Sequence, residues 1–226
     1  MTRTGPARLL KVAPAQLLPL LDRSALFRRR WQMLPPGPNR TAQLKAGRTL
    51  KELWQATLKE KLWQPRGLVR LCDACAGTRG LLLYSPGATR PIAELMLAAR
   101  FFGRAGTARF RAAVQIVTVG PKIVEACRQL ARTGDVARQF LLHGLAAELT
   151  EALANFAEKT AARTLELPLS RRVSPGYPVW PDLTEQKKLF RLLRPSRIGL
   201  RLTAAFQIVP EYSTSALVLP RWFERR

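Results

Sequence analysis

A chain of 226 residues with 47% hydrophobic side chains can bury a proper core and is too apolar to be disordered. Its formal net charge of +23, from 38 Lys and Arg against 15 Asp and Glu, suggests an acidic or nucleic-acid partner. No Lys/Arg run exceeds three residues, however, and no zinc-finger, RNP-type or GXXG signature accompanies the charge.

Residues 15–21 and 24–31 have the composition of short helices, with Ser24 placed to cap the second. Leu34-Pro35-Pro36-Gly37-Pro38-Asn39 is a turn, closing an amino-terminal helical segment (1–40) ahead of the main body (41–226). Over residues 41–62, Leu44, Leu50, Leu53, Trp54, Leu58 and Leu62 fall mostly at helical spacing, which predicts an amphipathic helix. Residues 67–71 and 80–84 are strand-like and predict a hairpin. Cys72 and Cys75 are expected in its connecting loop. No second CxxC and only one histidine, His143, are available to complete a four-ligand zinc site.

Residues 91–102 have a helical pattern, with Pro91 in the first turn. The β-branched run 112–119 predicts a buried strand ending at Gly120-Pro121. Helices follow over 123–130 and 135–163, the second alanine-rich and interrupted at most locally by Gly144. His143 lies in an apolar part of that helix, where packing is the expected role. A last helix spans 185–193, with Asp182 and Glu185 at capping-box spacing. Extended pieces are expected at 199–202, 205–209 and 215–219. The fold class is α+β, a single compact domain (1–226) with a twisted, mainly antiparallel sheet flanked by helices.

The longest apolar stretches are strand-length, far short of the ~18–20 residues that span a bilayer, and the amino terminus lacks a clean signal-peptide core. A soluble cytoplasmic protein without a membrane partner is expected. No P-loop, GxGxxG or nucleophilic triad is present, so reactive chemistry has to come from a bound ligand.

The segment Arg172-Val173-Ser174-Pro175-Gly176-Tyr177-Pro178 is the strongest local signal. Proline removes donors and fixes φ, while glycine tolerates close approach, so a rigid shaped loop with a cation at its entrance follows. Together with Pro181-Asp182 and Thr184-Glu185, this segment resembles the R-x-x-P-G-Y-P loop of the activation domain of cobalamin-dependent methionine synthase. The resemblance continues through Leu189-Phe190, Leu192-Leu193, Ile198-Gly199, Leu202-Thr203, Phe206 and Ser213-Thr214-Ser215. Upstream it takes in 62–69, Asp135 and the helical stretch 145–152.

That resemblance implies binding of S-adenosylmethionine as the methyl donor when inactive cob(II)alamin is reduced and remethylated. It implies that Arg172 pairs with the ligand carboxylate, that Gly176 admits the ligand to the backbone, and that Tyr177 closes the loop. Val173, Ser174 and Pro175 would complete the loop. Glu166, Glu151 and, more loosely, Asp22 would supply acidic contacts. Glu151 and Glu166 also suit ordinary surface ion pairs.

The chain departs from the family at Thr203-Ala204-Ala205-Phe206, at Pro210-Glu211, and after Val218, where no tyrosine follows. The D-x-H-x-x-G motif of a cobalamin module is absent around His143. A free-standing reactivation methyltransferase component is expected, with cobalamin carried by a separate methyltransferase chain and a flavodoxin- or ferredoxin-like protein as electron donor. A basic nucleic-acid-binding protein without enzymatic activity is the alternative, resting on charge alone.

Overall fold

The structure is a computed structural model and describes residues 6–97 and 108–221. Its strands are β1 (Arg8–Lys11), β2 (Arg66–Ala76), β3 (Leu81–Tyr84), β4 (Pro91–Leu95), β5 (Phe110–Thr118), β6 (Ser170–Val173), β7 (Arg201–Leu202), β8 (Ile208–Val209) and β9 (Ser213–Pro220). Seven of them form one antiparallel sheet, in the order β4-β3-β2-β5-β9-β6 with β1 also paired to β2. The helices are α1 (Pro14–Leu17), α2 (Arg40–Lys59), α3 (Pro121–Arg132), α4 (Val136–Thr164) and α5 (Gln186–Leu193). The α+β class and the antiparallel sheet are as expected.

Strand β5 shows why two apolar layers are needed. Ala112, Val114 and Ile116 point to one face, while Ala113 and Val117 point to the other, and all are buried. The first face packs with Trp180, Leu189 and Leu193 from the α5 region. The second is covered by α4, α3 and α2 with the amino-terminal helical turns. Gln115 also lies on the α4 side, where its amide donates to the carbonyl of Ala154 at 3.0 Å. One strand therefore anchors both layers.

Helix α2 begins at Asn39, whose side chain accepts from the Ala42 amide, and α4 begins at Asp135, which accepts from Arg138. Gly144 sits inside α4 because Trp31 packs on it. A Cβ there would meet the indole Cδ1 and Nε1 of Trp31 at 2.8 Å. The same indole donates to the Leu141 carbonyl at 2.9 Å. His143 packs as expected, edge-on to Tyr212, with Nδ1 2.8 Å from the phenol oxygen.

Several expectations about the elements are corrected. Residues 91–95 form β4, paired with β3, and the remainder of the expected helix at 98–102 lies outside the described residues. Residues 8–11, expected within a helical amino-terminal segment, form β1 on β2. Ser24 makes no cap; Asp22 does, accepting from the Ala25 amide at 2.9 Å. The 182–185 capping box is half formed. Asp182 accepts from Thr184, which holds its carboxyl below the usual range, while Glu185 turns to the Met96 amide and to Lys188.

Cys72 and Cys75 lie in β2 rather than in a loop, and their odd spacing sends them to opposite faces of the strand. Among the described residues no His, Cys, Asp and Glu cluster could hold a metal. Burial pushes the Cys72 thiol from its ordinary 9.0 up to about 12, an effect that nearby Arg70 only partly offsets. The unfolded thiol ionises above about pH 9 while the folded one stays protonated. Its contribution to stability is therefore complete below pH 9 and is lost as pH rises toward 12. Urea unfolding at about pH 8 and about pH 10.5 should show a smaller alkaline loss in Cys72→Ala than in the parent. Equal losses in the two proteins would exclude Cys72 as the source.

Candidate functional site

Helix α4 places Glu148, Glu151, Asn155 and Glu158 on one face, three and four residues apart. This polar stripe runs along a helix that is otherwise rich in buried alanine and leucine. Edge strand β6 lies beside it. Ser170 and Arg172, two residues apart, present the same face of β6, and both reach the stripe.

Arg172 is the hub. Its Nη2 donates to Glu151 Oε2 and to Asn155 Oδ1, both at 2.8 Å, and its Nε lies 3.3 Å from Glu158 Oε2. Ser170 Oγ donates to the other Glu158 oxygen at 2.8 Å. The Arg172 and Glu158 side chains are 18% and 16% exposed, against 46% for Glu151, so the pair with Glu158 is the sheltered one. None of these contacts uses Nη1. With Nε paired and Nη2 donating twice, the donors left over are those of Nη1, held in a fixed direction from which they can reach an oxygen of a carboxylate.

A cavity of about 400 Å³ opens at this point, lined by Glu151, Arg171, Arg172, Val173, Ser174, Tyr177, Pro178, Val179 and Thr214. Beyond Val173 the chain leaves β6 and turns tightly. The Gly176 amide donates to the Trp180 carbonyl and the Trp180 amide to the Tyr177 carbonyl, both at 2.7 Å, and the Trp180 side chain is buried. Gly176 has φ +89, and a Cβ there would lie 3.2 Å from Leu183 Cδ1. Its conformation is what the turn requires. Pro175 is buried behind it, and neither residue is part of the cavity lining. Tyr177 stands at the rim, 64% exposed.

A second cavity, about 500 Å³, shares Glu151 with the first. Asp22, Arg29, Arg30, Glu148 and Asn155 line it, together with Leu20 and Ala152. Here Arg30 Nε donates to the buried Glu148 at 2.8 Å. Both volumes are of the size that takes small molecules. Acidic groups, two arginine clusters and an aromatic rim together suit a ligand that carries both charges and a planar ring.

The structure thus brings Arg172, Val173, Ser174, Tyr177 and Glu151 into one cavity, and Asp22 with Glu151 into the adjoining one. Glu166 is not brought there. It follows the end of α4 with φ +55, is 84% exposed at its side chain, and faces Arg111 at 3.6 Å. That places it as an ordinary surface ion pair. Sequence reasoning missed Asn155 and Glu158. Their signal was the polar 3-4-3 spacing within an apolar helix.

Residues 169–221 match the family described as vitamin B12 dependent methionine synthase, activation domain. Methionine synthase of Mycobacterium tuberculosis (strain ATCC 25618 / H37Rv) is 30% identical over 126 aligned residues, covering 46% of this chain and 11% of that protein. The Mycobacterium leprae (strain TN) methionine synthase is 29% identical over 126, covering 46% and 10%. The chain therefore spans about a tenth of the length of the curated relatives it matches. Among solved structures, the MetH reactivation domain bound to AdoHcy superposes with a TM-score of 0.81 at 20% identity, over 95% of this chain and 78% of that one. The matched segment includes β6, the proline-rich turn and β9, which form one wall of the first cavity. The chain has the fold of the MetH reactivation domain, and its residues 169–221 are similar in sequence to the activation domain of the vitamin B12-dependent methionine synthase.

Proposed function

We infer that this chain binds S-adenosylmethionine, and its product S-adenosylhomocysteine, in the paired cavities, and that it serves the reductive reactivation of a cobalamin-dependent methyltransferase. The observation that carries the reading is Arg172. It stands in the family-matched segment, its guanidinium is fixed by Glu151, Asn155 and Glu158, and it lines a cavity large enough for a nucleoside. The solved relative of the same fold holds AdoHcy.

In this reading the ligand carboxylate takes Nη1 of Arg172, and Glu151 or Asp22 offsets the ammonium or sulfonium charge. Tyr177 at the rim offers a ring face to the adenine. Val173, Ser174 and Thr214 shape the wall. The corrinoid, carried by a partner, supplies the nucleophilic metal. The residues of this chain hold and orient the donor, so that the work asked of them is positioning. A reduced flavodoxin- or ferredoxin-like protein is the electron source in this scheme, and the basic surface would favour encounter with an acidic one. The chain is in this sense one component of a methyltransferase, cytoplasmic and without a membrane partner. Among the described residues no helix is long and apolar enough to cross a membrane.

Calorimetric titration of AdoHcy and S-adenosylmethionine into the purified chain tests the reading. Saturable one-to-one binding of both is expected. Absence of binding, alone and in the presence of a cobalamin-loaded methyltransferase, would remove it. Salt-sensitive retention of RNA or DNA without AdoHcy binding would favour the nucleic-acid alternative instead.

A further inference from the structure

Glu158 lines neither cavity, and nothing in the loop signal points to it. Its placement is nonetheless specific. The carboxylate is mostly sheltered. One oxygen accepts from Ser170 Oγ at 2.8 Å and the other faces Arg172 Nε at 3.3 Å. Ser170 and Arg172 stand on the same face of β6, so one carboxylate is tied to the edge strand at two successive positions. This second tie acts at Nε, the atom nearest the Arg172 backbone that can be held. An ion pair at Nε added to the hydrogen bonds at Nη2 restrains the guanidinium plane from swinging about its last bonds. Glu151, more exposed and part of the cavity lining, is free to engage a ligand without releasing the arginine.

We propose that Glu158 is a positioning residue, locked by Ser170, that sets the Arg172 guanidinium for the carboxylate of the bound ligand. Glu158 touches no ligand and acts only through Arg172. The proposal rests on the ligand reading above. It adds a division of labour among the α4 carboxylates: Glu158 orients the cation, and Glu151 shares it with the ligand.

The test is AdoHcy affinity measured by calorimetry in the full chain, in Glu158→Gln and Glu158→Ala, and again with Arg172→Lys as the background. In the parent background each Glu158 variant should weaken AdoHcy about tenfold, the size seen when an outer partner that orients a binding group is lost. In the Arg172→Lys background the same substitution should change affinity by less than about twofold, because lysine has no fork for Glu158 to orient. Glu158→Gln is nearly isosteric and keeps an acceptor for Ser170, which guards against a fold defect in the alanine variant. Parent-like affinity in Glu158→Gln would overturn the proposal. So would a similar loss in both backgrounds, which marks a structural role independent of Arg172. If the parent chain binds no AdoHcy, the ligand reading itself fails and the proposal with it.

Discussion

Replacing Arg172 with alanine is expected to weaken AdoHcy binding by about 100-fold, on the order of 3 kcal/mol, the scale of a sheltered charge-assisted hydrogen bond. The same change leaves Glu151 and Glu158, two turns apart on the same face of α4, without the guanidinium that now bridges them at 2.8 and 3.3 Å. Because Glu158 is only 16% exposed, its uncompensated charge should also lower folding stability, by about 2 kcal/mol. Arg172→Lys should fall between parent and alanine for binding. It retains the positive charge but has no planar fork to serve Glu151, Asn155 and Glu158 together. Calorimetry gives the binding loss, and urea unfolding in the absence of ligand gives the stability loss. Undiminished AdoHcy affinity in Arg172→Ala would separate this arginine from the ligand, whatever it does for the fold.

How far such a site could be read from the chain depended on which periodicity was strong. Helices α2, α3, α4 and α5 were visible because their apolar residues recur at helical spacing, and α5 also through Asp182 before it. Strand β5 was visible through its β-branched run. β4 was not, because Ala93, Glu94 and Leu95 with Met96 favour helix, and only pairing with β3 outweighs that preference. Gly80 permits this close pairing: a Cβ there would lie 2.1 Å from the Leu95 carbonyl oxygen.

The proline-rich loop announced Arg172 and Tyr177 directly. Its neighbour β6 was hidden, since four residues rich in serine and arginine carry little strand signal until β9 pairs with them. Glu158 and Asn155 were hidden differently. The alanines and leucines of α4 drew the reading to its apolar faces, and the polar stripe between them acquires meaning only once β6 is laid alongside. Glu166 lies six residues before Arg172 in sequence, yet the left-handed residue after α4 turns it toward Arg111, which chain distance cannot reveal.

Gly144→Val should damage the fold severely, lowering stability by about 3 kcal/mol. The valine Cβ would arrive 2.8 Å from Trp31 Cδ1 and Nε1, and 3.1 Å from Arg30 Cβ. Trp31 is buried and stacked on Phe27 at 5.6 Å between ring centroids, so it has no open space to move into. Displacing it also breaks the bond from its Nε1 to the Leu141 carbonyl. The consequence reaches the site, because the turn that ends at Trp31 carries Arg29 and Arg30, which line the second cavity, and Arg30 holds the buried Glu148. A stability loss should therefore come with weaker AdoHcy binding even at temperatures where the variant remains folded. In a chain of this size, about 3 kcal/mol corresponds to a lowering of Tm by roughly 6–12 °C, readable by calorimetry. Trp31→Phe in the same background removes the indole edge that valine strikes, so the double variant should recover part of the lost Tm. A double variant no more stable than Gly144→Val would mean that the glycine is needed for α4 itself and not for the approach of Trp31.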